Sequence, residues 1–227
     1  MRKHEINRLE AFSDAVFAFA ATLLVVALEV PKTYPELIEN LEGFLAFGLS
    51  FAMLVSIWVA HNGFFRRYGM QDRGTVVLNS ILLFVVLFYV YPLKFLATTF
   101  VASLLGGARH AEAGQDFGFA SLQDLGHLFA IYGAGFAAVF LCLVLMYRHA
   151  GRKAAELGLT HEERYDAYAR ARHYSMFVVV AAISIALAEL GIGLRYGLPG
   201  FIYVLLGPLC GLMGMWNGRR RRDLAAA

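Results

Sequence analysis

Ala11-Phe12-Ser13-Asp14-Ala15-Val16-Phe17-Ala18-Phe19-Ala20-Ala21-Thr22-Leu23-Leu24-Val25-Val26-Ala27-Leu28-Glu29-Val30 is the stretch that decides the fold. Only Ser13, Asp14, Thr22 and Glu29 interrupt a run that is otherwise apolar. Its length matches the roughly 20 residues a helix needs to cross the hydrocarbon core of a bilayer. A cleaved secretory signal is the competing reading, since Arg2, Lys3 and Arg8 precede the run and Ala18, Ala20 and Ala21 are small. The length of the run and the acid within it favour a retained span.

Five further apolar stretches follow: Gly43 to Phe64, Thr75 to Val101, Leu122 to Tyr147, Tyr174 to Leu194 and Leu198 to Gly214. Together with residues 11–30 they predict an all-α membrane protein, residues 1–227 forming a single six-span transmembrane domain. Composition agrees. Of 227 residues, 59% are hydrophobic and 16% charged, against roughly 45–50% and about 25% in soluble domains. Surface of that kind calls for lipid.

The distribution of Lys and Arg checks the span count independently, because cytoplasmic loops retain basic residues. With six spans and both termini cytoplasmic, only Lys32, Lys94, Arg109 and Arg195 fall outside, and the other sixteen of the 20 fall inside. Arg219 to Arg222 then mark a cytoplasmic face, and no nucleic-acid partner is expected. Cys142 and Cys210 both sit in apolar runs, so no disulfide framework is indicated. The connection Arg148 to His173 holds Thr160-His161-Glu162-Glu163, a reciprocal capping pattern that predicts the start of a short surface helix. The outer loop 103–121 carries no readable pattern.

Ionisable residues at membrane depth are costly and point to function. They are Asp14, Glu29, His61, Lys94, His127 and Glu189. Glu29, Lys94, His127 and Glu189 lie near span ends, where an interfacial role suffices. Asp14 differs, standing with Arg8, Phe12 and Ser13 in the first turns of an apolar helix. Span two places Trp58 and His61 on one helical face, and span three contributes Asn79 on the same side of the membrane. A polar group in a dry bundle needs partners, so these residues are expected to form one interhelical network. As an ion site or proton relay the network lines the conduction path. As a clamp it points away from it.

At about 100° per residue, with Val26 at zero, Phe19 lies near 20°, Leu23 near 60° and Thr22 near −40°. Asp14 and Ser13 lie roughly 120° and 140° away, on opposite sides, which favours the clamp. The stripe of Phe19, Thr22, Leu23 and Val26 lines a pore, faces lipid or packs in the core; periodicity alone does not choose.

The string Arg8-x-x-x-Phe12-Ser13-Asp14, followed by Trp58-x-x-His61, Asn79 and Pro92, resembles the transmembrane protein 175 family of potassium-permeable channels. The match runs through spans one to three; spans four to six agree in number and hydropathy. The resemblance implies a homotetramer in the cell membrane of a prokaryote, with helix one of each copy lining a central pore. It implies that Arg8, Phe12, Ser13, Asp14, Trp58, His61 and Asn79 tie helices together, while Phe19, Leu23 and Val26 form apolar rings and Thr22 a hydroxyl ring. Phe19 departs from the Ile or Leu usual in the family, a bulkier ring whose aromatic faces attract cations. No Thr-Val-Gly-Tyr-Gly loop is present, so a carbonyl filter is not expected and selectivity over sodium should be modest. Neither a cofactor nor a metal site is expected, only permeant potassium and other monovalent cations, with lipids and further copies of the chain as partners.

The alternative is a proton-coupled secondary transporter, motivated by Asp14 and His61; the sequence shows no paired broken helices to support it. An enzyme is not expected, since no Ser/His pair on one face, no HExxH and no paired catalytic carboxylates are seen.

Overall fold

The computed structural model describes residues 7–26, 32–34, 43–105 and 122–226. Six principal helices follow in order: α1 (Arg8–Val26), α2 (Phe44–Tyr68), α3 (Arg73–Leu105), α4 (Leu122–Arg152), α5 (His161–Glu189) and α6 (Leu206–Ala226). Among the described residues there is no strand, and six segments are long and apolar enough to cross a membrane, the sixth being Leu198–Asn217. The readings placed on Arg2, Lys3, Glu29 and Arg109 lie outside the described residues, as does most of the outer loop.

Local chemistry sets the ends of these helices. Asn7 caps α1, its side-chain oxygen accepting from the Glu10 amide at 2.8 Å, which satisfies one of the donors a helix start leaves open. Gly69 ends α2 with φ at 56°, a left-handed conformation that a Cβ disfavours.

Thr160 and Glu163 cap each other reciprocally, at 2.9 Å and 3.2 Å. The helix they start is not the short surface element expected, however. It runs 29 residues to Glu189, because helical propensity continues unbroken from the polar first turns into the apolar run and no Gly or Pro intervenes.

The sixth span also differs from the unbroken helix that hydropathy suggests. A single turn, Leu198–Phe201, leads into a 3-10 segment, Ile202–Leu205, before α6 begins. Pro208 explains the tightening, since it lacks an amide for Val204 and its ring crowds the carbonyl of that residue.

Internal contacts sort the chain into two compact units. The first holds α1, most of α2 and α3 from Leu83 onward; the second holds residues 67–82 and everything from Ser121. The second unit is built on α4 against α5. Phe140 stacks on Phe177 with ring centroids 4.4 Å apart, Tyr147 meets Tyr174 at 5.6 Å, and Tyr203 packs edge-on against Phe136 at 5.0 Å. Small residues let the two helices close: a Cβ on Gly133 would stand 2.6 Å from Ile185, and one on Gly151 2.9 Å from the Tyr168 ring. Buried Ser184 donates to the Pro199 carbonyl at 2.7 Å, tying α5 to the turn after it.

Within the same unit Asp72 caps α3 and links it to α4. Its carboxylate accepts from the Thr75 hydroxyl at 2.6 Å and the Gly74 amide at 3.2 Å, and meets His149 Nε2 at 2.8 Å. Burial pushes the Asp72 carboxyl up, but the Thr75 hydroxyl, the His149 ring and the Gly74 amide outweigh it and hold it at about 2. A carboxyl depressed in the fold stabilises it fully above its unfolded value near 4, and that contribution is lost as pH falls toward 2. Asp72→Asn should therefore cost ~1–2 kcal/mol at neutral pH, after allowance for partial exposure. Thermal melting of wild type and variant across pH checks this: the difference between them should shrink below about pH 4.

Candidate ion-conduction site

Helix α1 has two faces, and its sequence separates them. Glu10, Ser13, Phe17, Ala20 and Leu24 recur at steps of three and four and are buried, the spacing that keeps one side of a helix inward. The opposite side is open. Arg8 and Thr22 are exposed, Phe19 is 57% and Val26 71% exposed, and Leu23 is intermediate beside fully buried Leu24. The stripe expected from the angles thus lies on the face that the chain's own packing leaves uncovered.

What holds α1 in this rotation is a bond to α2. The Trp58 indole N–H donates to Asp14 Oδ1 at 2.8 Å. One turn along α2, His61 is completely buried, its ring 5.3 Å from Phe17 and 4.8 Å from Phe65. The Ser13 hydroxyl donates to the Leu9 carbonyl of its own helix at 2.8 Å. Asn79 is completely buried as well but belongs to the second unit.

Two residues of the motif lie off the buried face of α1 within the single chain. Phe12 is 60% exposed and Arg8 is exposed. The helical period is the reason: Phe12 and Arg8 fall near 40° and 0° on the wheel that places Val26 at zero, on the stripe side. Within the chain they do not share the face that Ser13 and Asp14 turn to neighbouring helices. Of the remaining ionisable residues, His127 and Glu189 are exposed and Lys94 is intermediate.

Two contributors were not singled out from the sequence. Phe17 supplies the ring against His61, and Glu10 is buried with only 4% of its surface exposed. Their signal was available, since Glu10, Ser13, Phe17, Ala20 and Leu24 form the complement of the exposed stripe.

Thr22 has a specific electrostatic consequence. Its hydroxyl donates to the Ala18 carbonyl at 3.0 Å, so its one proton is committed and the oxygen lone pairs remain for an electron-poor partner. Among the described residues no group of three or more His, Cys, Asp or Glu is placed to hold a metal ion. On the exposed face of α1 the Thr22 hydroxyl oxygen thus lies between the apolar side chains of Phe19 and Val26.

Fold and site together define a multi-pass, all-helical membrane protein whose first helix is anchored by its polar start and bares an apolar stripe beyond it. The family described as endosomal/lysosomal potassium channel TMEM175 matches residues 8–89. A "Potassium channel" of Marivirga tractuosa is 37% identical, the match covering 98% of this chain and 92% of the relative. A crystal structure of a variant of the potassium channel MtTMEM175, bound to a nanobody fusion protein, superposes with a TM-score of 0.82 at 35% identity, covering 96% of each chain. A TMEM175 homolog from Chamaesiphon minutus shares the fold, with a TM-score of 0.53 at 24% identity over 88% of this chain and 96% of that one. The chain belongs to the TMEM175 potassium-channel family. These relatives lend no support to the proton-coupled transporter.

Proposed function

We propose that the chain assembles as a homotetramer that conducts potassium and other monovalent cations, in the cell membrane of a prokaryote with both termini cytoplasmic. Four copies of α1 surround the axis. Phe19, Leu23 and Val26 form the hydrophobic constriction, and Thr22 supplies a ring of hydroxyl oxygens between them. The observation that carries this reading is the rotation of α1: the Asp14–Trp58 bond and the buried face leave Phe19, Thr22 and Val26 outward. Homology to proteins named potassium channels supports it.

An apolar constriction controls flow through hydration, because water and ions leave a narrow passage whose walls offer no hydrogen bonds. Thr22 would ease a cation's loss of water between such rings, and the Phe19 faces would add a quadrupolar attraction. No repeated carbonyl cage enforces one ionic radius, so potassium is favoured over sodium only modestly.

Purified protein reconstituted in vesicles with a potassium gradient should pass current carried mainly by potassium. Absence of cation flux from well-folded, tetrameric protein would overturn the proposal.

A further inference from the structure

A cleft in the second unit is lined by none of the residues proposed to form the conduction path. Its volume is about 340 Å³, and its walls are the end of α2 at Arg67, one face of α5 and one face of α6. On α5 the lining residues Asp166, Arg170 and His173 recur at helical spacing, as do Cys210, Gly214 and Asn217 on α6, so two helix surfaces face each other across the opening. The His173 ring and the Cys210 thiol approach to 3.9 Å at one end.

The cleft is positively charged and carries buried polar atoms that find no hydrogen-bond partner among the described residues. Arg67 is paired with Asp166, which cancels the one carboxylate in the lining and leaves Arg170 as a net cation. Behind the wall, the Arg172 guanidinium lies 5.4 Å from the Tyr165 ring centroid and 5.8 Å from that of Trp216. Its Nε and Nη2 are buried without a hydrogen-bond partner among the described residues. The same holds for the Tyr165 hydroxyl and the Asn217 amide oxygen, both in the lining. Buried polar groups are costly when unsatisfied, and an amide can turn its NH2 group to the same side. Hydroxyl, amide and guanidinium donors around one positive cleft are the complement of a phosphate.

We propose that this cleft binds the phosphate of an anionic phospholipid headgroup. Its helices read as membrane spans, and Leu212, Met215 and Trp216 are exposed on the other sides of α6, apolar surface of the kind acyl chains cover. A basic cleft between spanning helices is suited to such headgroups, and the preference of these helix ends for the cytoplasmic leaflet rests on the orientation proposed above. Free phosphate shares the chemistry and would lack the acyl contacts.

The test uses the full chain in detergent, where binding does not depend on its orientation in a membrane or on conduction. Native mass spectrometry after incubation with equimolar phosphatidylglycerol and phosphatidylcholine should show preferential retention of phosphatidylglycerol. Arg170→Gln should reduce that preference by about fivefold. Asn217→Leu, which fills the cleft without removing a charge, should also reduce it, and melting of both variants without lipid confirms that they fold. Inorganic phosphate alone forms the second arm. Failure of phosphate to displace the lipid identifies the headgroup with its acyl chains as the ligand, whereas full displacement, with equal protection against melting, assigns the cleft to the free anion. Equal retention of both lipids by the wild type, or an undiminished preference in both folded variants, overturns the proposal. Orientation is read separately by labelling a cysteine placed at the C-terminus, so its failure is distinguishable.

Discussion

Phe19→Asn should raise the potassium conductance of the reconstituted channel by about tenfold, and Val26→Asn should act in the same direction. A change of ~1.4 kcal/mol in a barrier is tenfold in rate. Hydrating a ring of apolar side chains is opposed by more than that, and a polar side chain restores hydrogen bonds to the water in the passage. In the proposed tetramer each substitution is repeated four times at the same depth. Val25 is the control, since it is 51% exposed but lies about 100° round the helix from Val26. Val25→Asn should leave the conductance of assembled channels near the wild-type value. Single-channel recording separates conductance from the number of channels. Unchanged conductance in both Phe19→Asn and Val26→Asn would remove α1 from the narrow part of the pathway.

Breaking the bond between Asp14 and Trp58 should damage assembly before it alters ion preference. Asp14→Ala removes the acceptor of the indole N–H and should cost ~1.5–3 kcal/mol, the range for a hydrogen bond to a carboxylate. Trp58→Phe keeps much of the ring's packing but leaves the carboxylate without that donor, and should be comparably harmful. Asp14→Asn retains a carbonyl oxygen at the same place and should fall between wild type and Asp14→Ala. Thermal melting and the assembled fraction on size-exclusion chromatography check the order. The reversal potential under potassium and sodium should stay put in whatever fraction assembles, because Asp14 is turned about 120° from the stripe. A shifted reversal potential with normal assembly would instead make Asp14 part of the ion path.

Much of α1 was legible from residue spacing, because one helical turn spaces side chains by a known angle and Glu10, Ser13, Phe17, Ala20 and Leu24 can lie only on one side. The same arithmetic, carried two turns further back, would have set Arg8 and Phe12 on the stripe and away from Ser13 and Asp14. The extent of α5 was less legible, since a cap at Thr160 marks where a helix starts but says nothing about where it stops. The 3-10 segment before α6 left only the indirect sign of Pro208.

Contacts between distant segments lay beyond any such reading. Arg67 pairs with Asp166 across 99 residues of sequence and Asp72 with His149 across 77; many other acids and bases had equal claim to each partner. Hydropathy and the Arg–Phe–Ser–Asp string alone determined a six-span helical membrane protein of this family, since burial of apolar surface in lipid and a 3.6-residue period act on local sequence. Only the tertiary structure decided which way α1 turns, that His61 seats on Phe17, and that α2, α5 and α6 enclose a basic cleft. Those choices depend on which side chains fill the same space, and close packing admits one arrangement where sequence spacing permits many.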